Sequence, residues 1–227
     1  MDKGFIDVVL AASIPVQFTM LFMAILSVYS VFRIIERGLT YRKASDQTIS
    51  FVLGLREHLK SGAMDKAHSA AGTFPESPVA KVIGAGIHAY QTGEHAKHAK
   101  GADEIGDFDI VDSVNRAVDR VKEREGSTLR KGLAGLGTVA TITPFIGLFG
   151  TVIGIINAFA LLKGNATIEV IGPAIAEALY STAFGLLVAI VAAMSYNYCT
   201  SRVEEMTVDM NDVSSEFLDH VLREGRT

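Results

Sequence analysis

The sequence predicts an all-α membrane protein: three transmembrane helices, a helical cytoplasmic domain and a C-terminal cytoplasmic helix. Three observations carry this. Hydrophobic residues make up 49% of the chain, and mean hydropathy is +0.31, above what water-soluble domains of this length show. The charges are segregated: 16 of the 21 Lys and Arg residues fall between Arg33 and Lys131, while the stretch from there to Lys163 holds no charged side chain at all. No segment alternates polar and apolar residues as a half-buried strand does.

Residues 1–13 form a short N-terminal stretch whose start, Met1 to Asp7, lacks a basic region, and no clean small-x-small cleavage site follows, so the first apolar run is expected to stay as an anchor. That run, 14–32, is about 19 residues long, close to the ~20 a helix needs to cross the hydrocarbon core. Pro15 suits its first turn, where a missing N–H costs nothing. Residues 33–132 are charged and read as helical. Ile49, Val52, Leu53 and Leu59 mark one amphipathic stretch over 44–60, and Val111, Val114, Val118 and Val121 mark another. Asp107 or Asp109 is placed to cap the second. Gly72 to Pro78 reads as a turn and Gly93 to Gly106 as a polar linker.

The second span, 133–162, would be about 45 Å long at helical rise, so it tilts or projects into water. Pro144 predicts a kink in it. A short loop, 163–169, leads to the third span, 170–199. Beyond it, over 200–227, Val203, Met206, Met210, Val213, Phe217 and Val221 recur every three or four residues, so the helix continues with one apolar face. Lys and Arg flank the cytoplasmic ends of the spans: Arg33, Arg37, Arg42 and Lys43 after the first, and Arg120 to Lys131 before the second. The positive-inside rule then places the N-terminus and 163–169 outside, and 33–132 and the C-terminus in the cytoplasm.

Several function classes find no support. A single cysteine, Cys199, excludes an intrachain disulfide. Gly132, Gly135 and Gly137 lack the preceding strand of a nucleotide loop. His88, His95 and His98 lie in a Gly, Ala and Lys-rich stretch without a fourth ligand, so no metal or cofactor is expected. No nucleophile and base stand together, which points away from an enzyme, and the basic residues alternate with acidic ones, which points away from nucleic acid.

The sharpest chemical signal is Glu177, about seven residues and hence about 10 Å into the third span. A charged side chain there costs about 2.5–3.5 kcal/mol on insertion scales, and intramembrane acids are usually functional. Such a carboxyl can take and release protons, or it can serve as a neutral hydrogen-bonded strut between helices. Small and hydroxyl residues accompany it. Thr143, Gly147, Thr151 and Ala158 fall near one stripe of the second span, with Gly150 and Gly154 beside it. Ala174, Glu177, Ser181 and Gly185 form a stripe on the third. Small stripes let membrane helices approach closely. The threonine hydroxyls also have a local use, bonding their own helix carbonyls. Thr182 lies about 140° around the helix from Glu177, so spacing alone does not join them.

The stretches 138–159, TVATITPFIGLFGTVIGIINAF, and 172–189, GPAIAEALYSTAFGLLVA, closely resemble the proton channel family that includes TolQ, ExbB and, more distantly, MotA. The resemblance covers about 40 residues on two adjacent spans, and the three-span layout matches too. It implies that Thr151 and Thr182 are the polar pore threonines, that Glu177 is the acidic residue of the proton pathway, and that Pro144 bends the second helix. Gly147, Gly150, Gly154 and Gly185 remain close-packing positions. The chain departs from the family pattern at Thr143, often Ser, at Ile153, commonly Trp, and at Tyr180 and Ser181, often aliphatic or Ala. The resemblance further implies a homo-oligomer, a pentamer, in a bacterial inner membrane. Its central pore would hold a dimer of a small single-span protein resembling TolR or ExbD. A TolA- or TonB-like protein would carry force toward the outer membrane, and lipid would surround the whole. The length and short N-terminus lean toward a TolQ-like member, with ExbB-like and gliding-motor subunits open. A non-conducting membrane scaffold is the competing reading.

Overall fold

A computed structural model describes residues 13–100, 110–160 and 168–224, and the described residues are helix and turn throughout. Among the described residues six helices follow in order: α1 (Ile14–Lys60), α2 (Met64–Thr73), α3 (Pro78–Lys100), α4 (Ile110–Arg130), α5 (Leu133–Ala160) and α6 (Ile168–Glu224). Three segments are long and apolar enough to cross a membrane, within Ile14–Lys60, Ile110–Ala160 and Ile171–Arg223. The protein is thus an all-α, multi-pass membrane protein.

The chain divides into two compact units, one built from residues up to Glu36 with Gly132–Cys199, the other from Arg37–Lys131 with residues from Thr200 on. In the first, membrane-type unit, Val16, Met20 and Met23 of α1 pack with Ile146, Ile153 and Phe184, and Val139, Val188 and Ala192 pack with Leu26 and Tyr29. Its outward surface is the reverse of a water-soluble bundle. Phe18, Phe22 and Val28 of α1, Phe145, Phe149 and Phe159 of α5, and Leu187 and Met194 of α6 are all exposed. Apolar surface of that extent suits hydrocarbon or partner chains, because helices satisfy their backbone internally and leave only side chains to face lipid.

Helix α5 runs without interruption through Pro144, although proline supplies no N–H to the Ala140 carbonyl one turn back, a defect worth about 3 kcal/mol in an isolated helix. Close packing on both sides of this point offsets it. Gly147 and Gly185 bring the backbones of α5 and α6 together: a Cβ on Gly185 would lie 3.2 Å from Gly147 Cα and 2.9 Å from the Thr143 carbonyl oxygen.

The second unit is a helical domain of ordinary water-soluble type. Tyr41, Phe51 and Leu55 of α1, Val79, Ile83 and Ile87 of α3, Val114 and Val118 of α4, and Phe217 of α6 are fully buried. The stripe at Val203, Met206, Met210, Val213, Phe217 and Val221 is buried along its whole length. Gly86 admits the Phe217 ring, since a Cβ there would lie 2.7 Å from Phe217 Cε1. Ser77, just before Pro78, accepts the Ala80 amide at 3.1 Å and caps α3, and Tyr41 donates to the Leu129 carbonyl at 2.9 Å.

Two differences from the sequence expectations stand out. The stretch from Gly93 to Lys100 is helical, the last two turns of α3, rather than linker. Ala96 and Ala99 are strong helix formers, and Gly93 is buried, so it packs rather than breaks the helix. The helical stretch over 44–60 is also continuous with the first span, because 33–43 contains no proline and Gly38 alone does not end a helix. Residues 101–106 of the expected linker, the capping aspartates Asp107 and Asp109, and most of the 163–169 loop lie outside the described residues.

Candidate functional site

The site forms where α5 crosses the first half of α6. Along α5, Thr143, Gly147, Gly150, Gly154 and Ala158 are buried. That set advances by three or four residues, the repeat of one helix face, and four of the five positions lack a side chain beyond Cβ. The partner helix can therefore come close enough for side chains on one helix to meet backbone on the other. A Cβ on Gly154 would lie 2.6 Å from Ala178 Cβ, and one on Gly147 3.0 Å from Thr182 Cα.

Thr151 and Thr182 meet at this contact. Thr151 Oγ1 lies 3.2 Å from the Gly147 carbonyl of its own helix and 3.1 Å from the Ala178 carbonyl of α6. Thr182 Oγ1 lies 3.1 Å from the Gly147 carbonyl and in hydrogen-bond contact with Thr151 Oγ1. Each hydroxyl carries one proton and accepts others. The cluster therefore has two consistent orientations. In one, Thr182 donates to Thr151 and Thr151 to the Ala178 or the Gly147 carbonyl. In the other, Thr151 donates to Thr182 and Thr182 to the Gly147 carbonyl. Hydroxyl pairs of this kind reverse without moving a heavy atom.

Glu177 immediately precedes Ala178 and is half-buried. It carries the only acidic side chain on α6 between Val170 and Thr200, and α5 and the first span carry none. Among the described residues its carboxyl makes no hydrogen bond or ion pair. It does not bond Thr182, whose hydroxyl turns toward α5. The structure thus brings Thr151 and Thr182 together and leaves Glu177 beside them. Thr143 is spoken for separately: it is fully buried and donates to the Val139 carbonyl at 2.6 Å.

The close-packing positions Gly147, Gly150, Gly154 and Gly185 all face neighbouring helices. A Cβ on Gly150 would overlap Ser181 Oγ and lie 2.9 Å from Thr19 Oγ1, and one on Gly185 would lie 3.1 Å from Met23 Sδ. Helix α1 therefore joins the site through Thr19 and Met23, which the sequence reading did not include. It also did not single out Asn157, whose amide donates to Ser13 Oγ at 2.9 Å. An asparagine in a run otherwise free of amides was the available signal.

Residues 81–212, more than half the chain, match the MotA/TolQ/ExbB proton channel family. The chain is similar to the Tol-Pal system protein TolQ of Pseudomonas aeruginosa, with 34% identity over 211 residues, 91% of this chain and 87% of that one. It is similar to the Tol-Pal system protein TolQ of Haemophilus influenzae, with 43% identity over 110 residues, 48% of each chain. It is also similar to the biopolymer transport protein ExbB of Salmonella typhimurium, with 37% identity over 111 residues, 43% of this chain and 46% of that one. The matched stretch thus spans about half the length of the second and third of these relatives.

Proposed function

Because the chain belongs to the MotA/TolQ/ExbB proton channel family, we propose that it is an inner-membrane stator subunit of a motor driven by the proton gradient. Its proton pathway runs past Glu177, Thr151 and Thr182. The observation that carries this reading is the hydroxyl cluster at the α5–α6 crossing, set beside an unpartnered carboxyl in otherwise apolar spans. A hydroxyl pair with two orientations can pass a proton's worth of polarity along, and a carboxyl can hold the proton itself. A proton crossing the membrane potential releases about 2.3 kcal/mol per 100 mV, which suffices to drive small rearrangements of packed helices.

In this reading the N-terminus faces the periplasm and the C-terminus the cytoplasm. Copies of the chain form a ring, a pentamer, around a dimer of a single-span TolR- or ExbD-like protein. Force passes to a TolA- or TonB-like protein directed at the outer membrane. The length of the match to a Tol-Pal system protein, 91% of this chain, favours a TolQ-like member over an ExbB-like or gliding-motor subunit.

One observation favours the scaffold alternative: Thr151 and Thr182 have helix carbonyls to bond, so their hydroxyls also serve as glue. Glu177→Gln separates the two readings. With the chromosomal copy replaced by this variant, the motor reading expects normal assembly and loss of the envelope function that a protonophore abolishes. Full retention of that function refutes the pathway. Failed assembly supports the scaffold.

A further inference from the structure

One polar group of the membrane unit has no use in the pathway above. Ser181 is fully buried, and its Oγ has no hydrogen-bond partner among the described residues. Hydroxyls elsewhere in the spans donate to the carbonyl one turn back: Ser30 to Leu26 at 2.9 Å, Thr143 to Val139 at 2.6 Å and Ser195 to Val191 at 2.7 Å. Ser181 has the equivalent carbonyl in Glu177 and makes no such bond. Its hydroxyl turns across the interface onto Gly150, next to Thr19, whose own proton goes to the Val16 carbonyl at 2.8 Å. Only a glycine at 150 leaves room for that oxygen.

Glu177 stands four residues earlier on the same helix face. Side chains at this separation are neighbours, with Cβ atoms about 5–6 Å apart. Two polar groups, one fully buried and one half-buried, are therefore left without partners one turn apart on an apolar helix. No other charge on the facing helices competes for them, since α5 and the stretch of α1 from Ile14 to Phe32 carry none. We propose that Ser181 is a positioning residue for Glu177. Rotated about its Cα–Cβ bond from its place over Gly150, its hydroxyl donates to the carboxylate and accepts from the carboxylic acid, holding the side chain near the junction of α1, α5 and α6. Ser181 keeps its own proton throughout; the proton that comes and goes belongs to Glu177. When the acid swings away, the hydroxyl returns to its place over Gly150, next to Thr19.

This proposal rests on the reading of Glu177 as a protonatable group, and the test separates the two. The full chain in vesicles of phosphatidylethanolamine and phosphatidylglycerol is studied by infrared difference spectroscopy. The carbonyl stretch of protonated Glu177 is identified by its loss in Glu177→Gln. Ser181→Ala removes the oxygen that lies over Gly150 and keeps the Cβ. It is expected to move the band to higher wavenumber, as loss of a hydrogen bond does, and to change the rate at which a carbodiimide modifies Glu177. Ser181→Thr, which keeps the hydroxyl, is expected to leave the band in place. An unmoved band and an unchanged rate in Ser181→Ala overturn the positioning role while the reading of Glu177 stands. A band that never appears in the unsubstituted protein at any pH overturns both.

Discussion

Moving one methyl group from Ala178 to Gly154 tests the contact on which the site depends. In Gly154→Ala the new carbon would stand 2.6 Å from Ala178 Cβ and 3.2 Å from its Cα. Non-bonded carbons settle at about 3.5–4.0 Å, so the helices must part by about 1 Å. That displacement carries Thr151 Oγ1, now 3.1 Å from the Ala178 carbonyl, out of hydrogen-bond range. Overpacking costs about 1–3 kcal/mol, and a membrane hydrogen bond adds about 0.6 kcal/mol. Replacing glycine in a helix returns up to about 1 kcal/mol. The expected net loss is about 0.5–2.5 kcal/mol. In the double variant Gly154→Ala/Ala178→Gly the methyl is still present but projects from the other helix. Its nearest neighbours are then backbone atoms, with Cα at 3.2 Å, and most of the loss should return. The assay is reversible unfolding in mixed micelles followed by circular dichroism, read as a double-mutant cycle. Strictly additive losses, with no coupling between the two positions, refute the close approach.

Two further outcomes are expected. A cycle of Thr151→Val, Thr182→Val and the pair should give a coupling energy of about 0.5–1.7 kcal/mol in the same unfolding assay, the range for hydrogen bonds between membrane helices; independence would mean that the hydroxyls do not pair. Asp209, outside the spans and exposed at its surface, is held above the usual aspartate range by partial desolvation and then by repulsion from Asp212 and Glu205, with Arg202 pulling the other way. A carboxyl raised in the folded state contributes its full stability below the ordinary aspartate range and loses it as pH climbs through the raised value. Asp209→Asn should therefore melt above the parent at neutral pH and level with it near pH 3, about one unit below the usual aspartate value. A melting difference that does not change with pH counts against this account.

The three spans were legible because each is a long apolar run, free of charge but for Glu177 in the third, with Lys and Arg beyond its ends, a pattern that a change of solvent produces. Glu177 was legible for the same reason, as the lone acid in such a run. The buried stripe from Val203 to Val221 followed from spacing along one helix. The pairing of Thr151 with Thr182 was not legible, because it depends on the register between two helices. The glycines say that α5 and α6 approach closely but not which residues then face each other. Ser181 read as one more small residue, since its lack of a partner is visible only once the surrounding carbonyls are placed. Gly93 was misread because a glycine flanked by polar residues signals a turn, whereas here it is buried within α3.

The touching backbones of Gly147 and Gly185 have a mechanical consequence. A contact between side chains can absorb motion by changing rotamers; one between glycine Cα atoms has none to change. Two such rods have no side chain at their crossing to take up a change of angle or distance. In the motor proposed above, movement would then appear in the arms beyond that crossing, including the one that bears the acid.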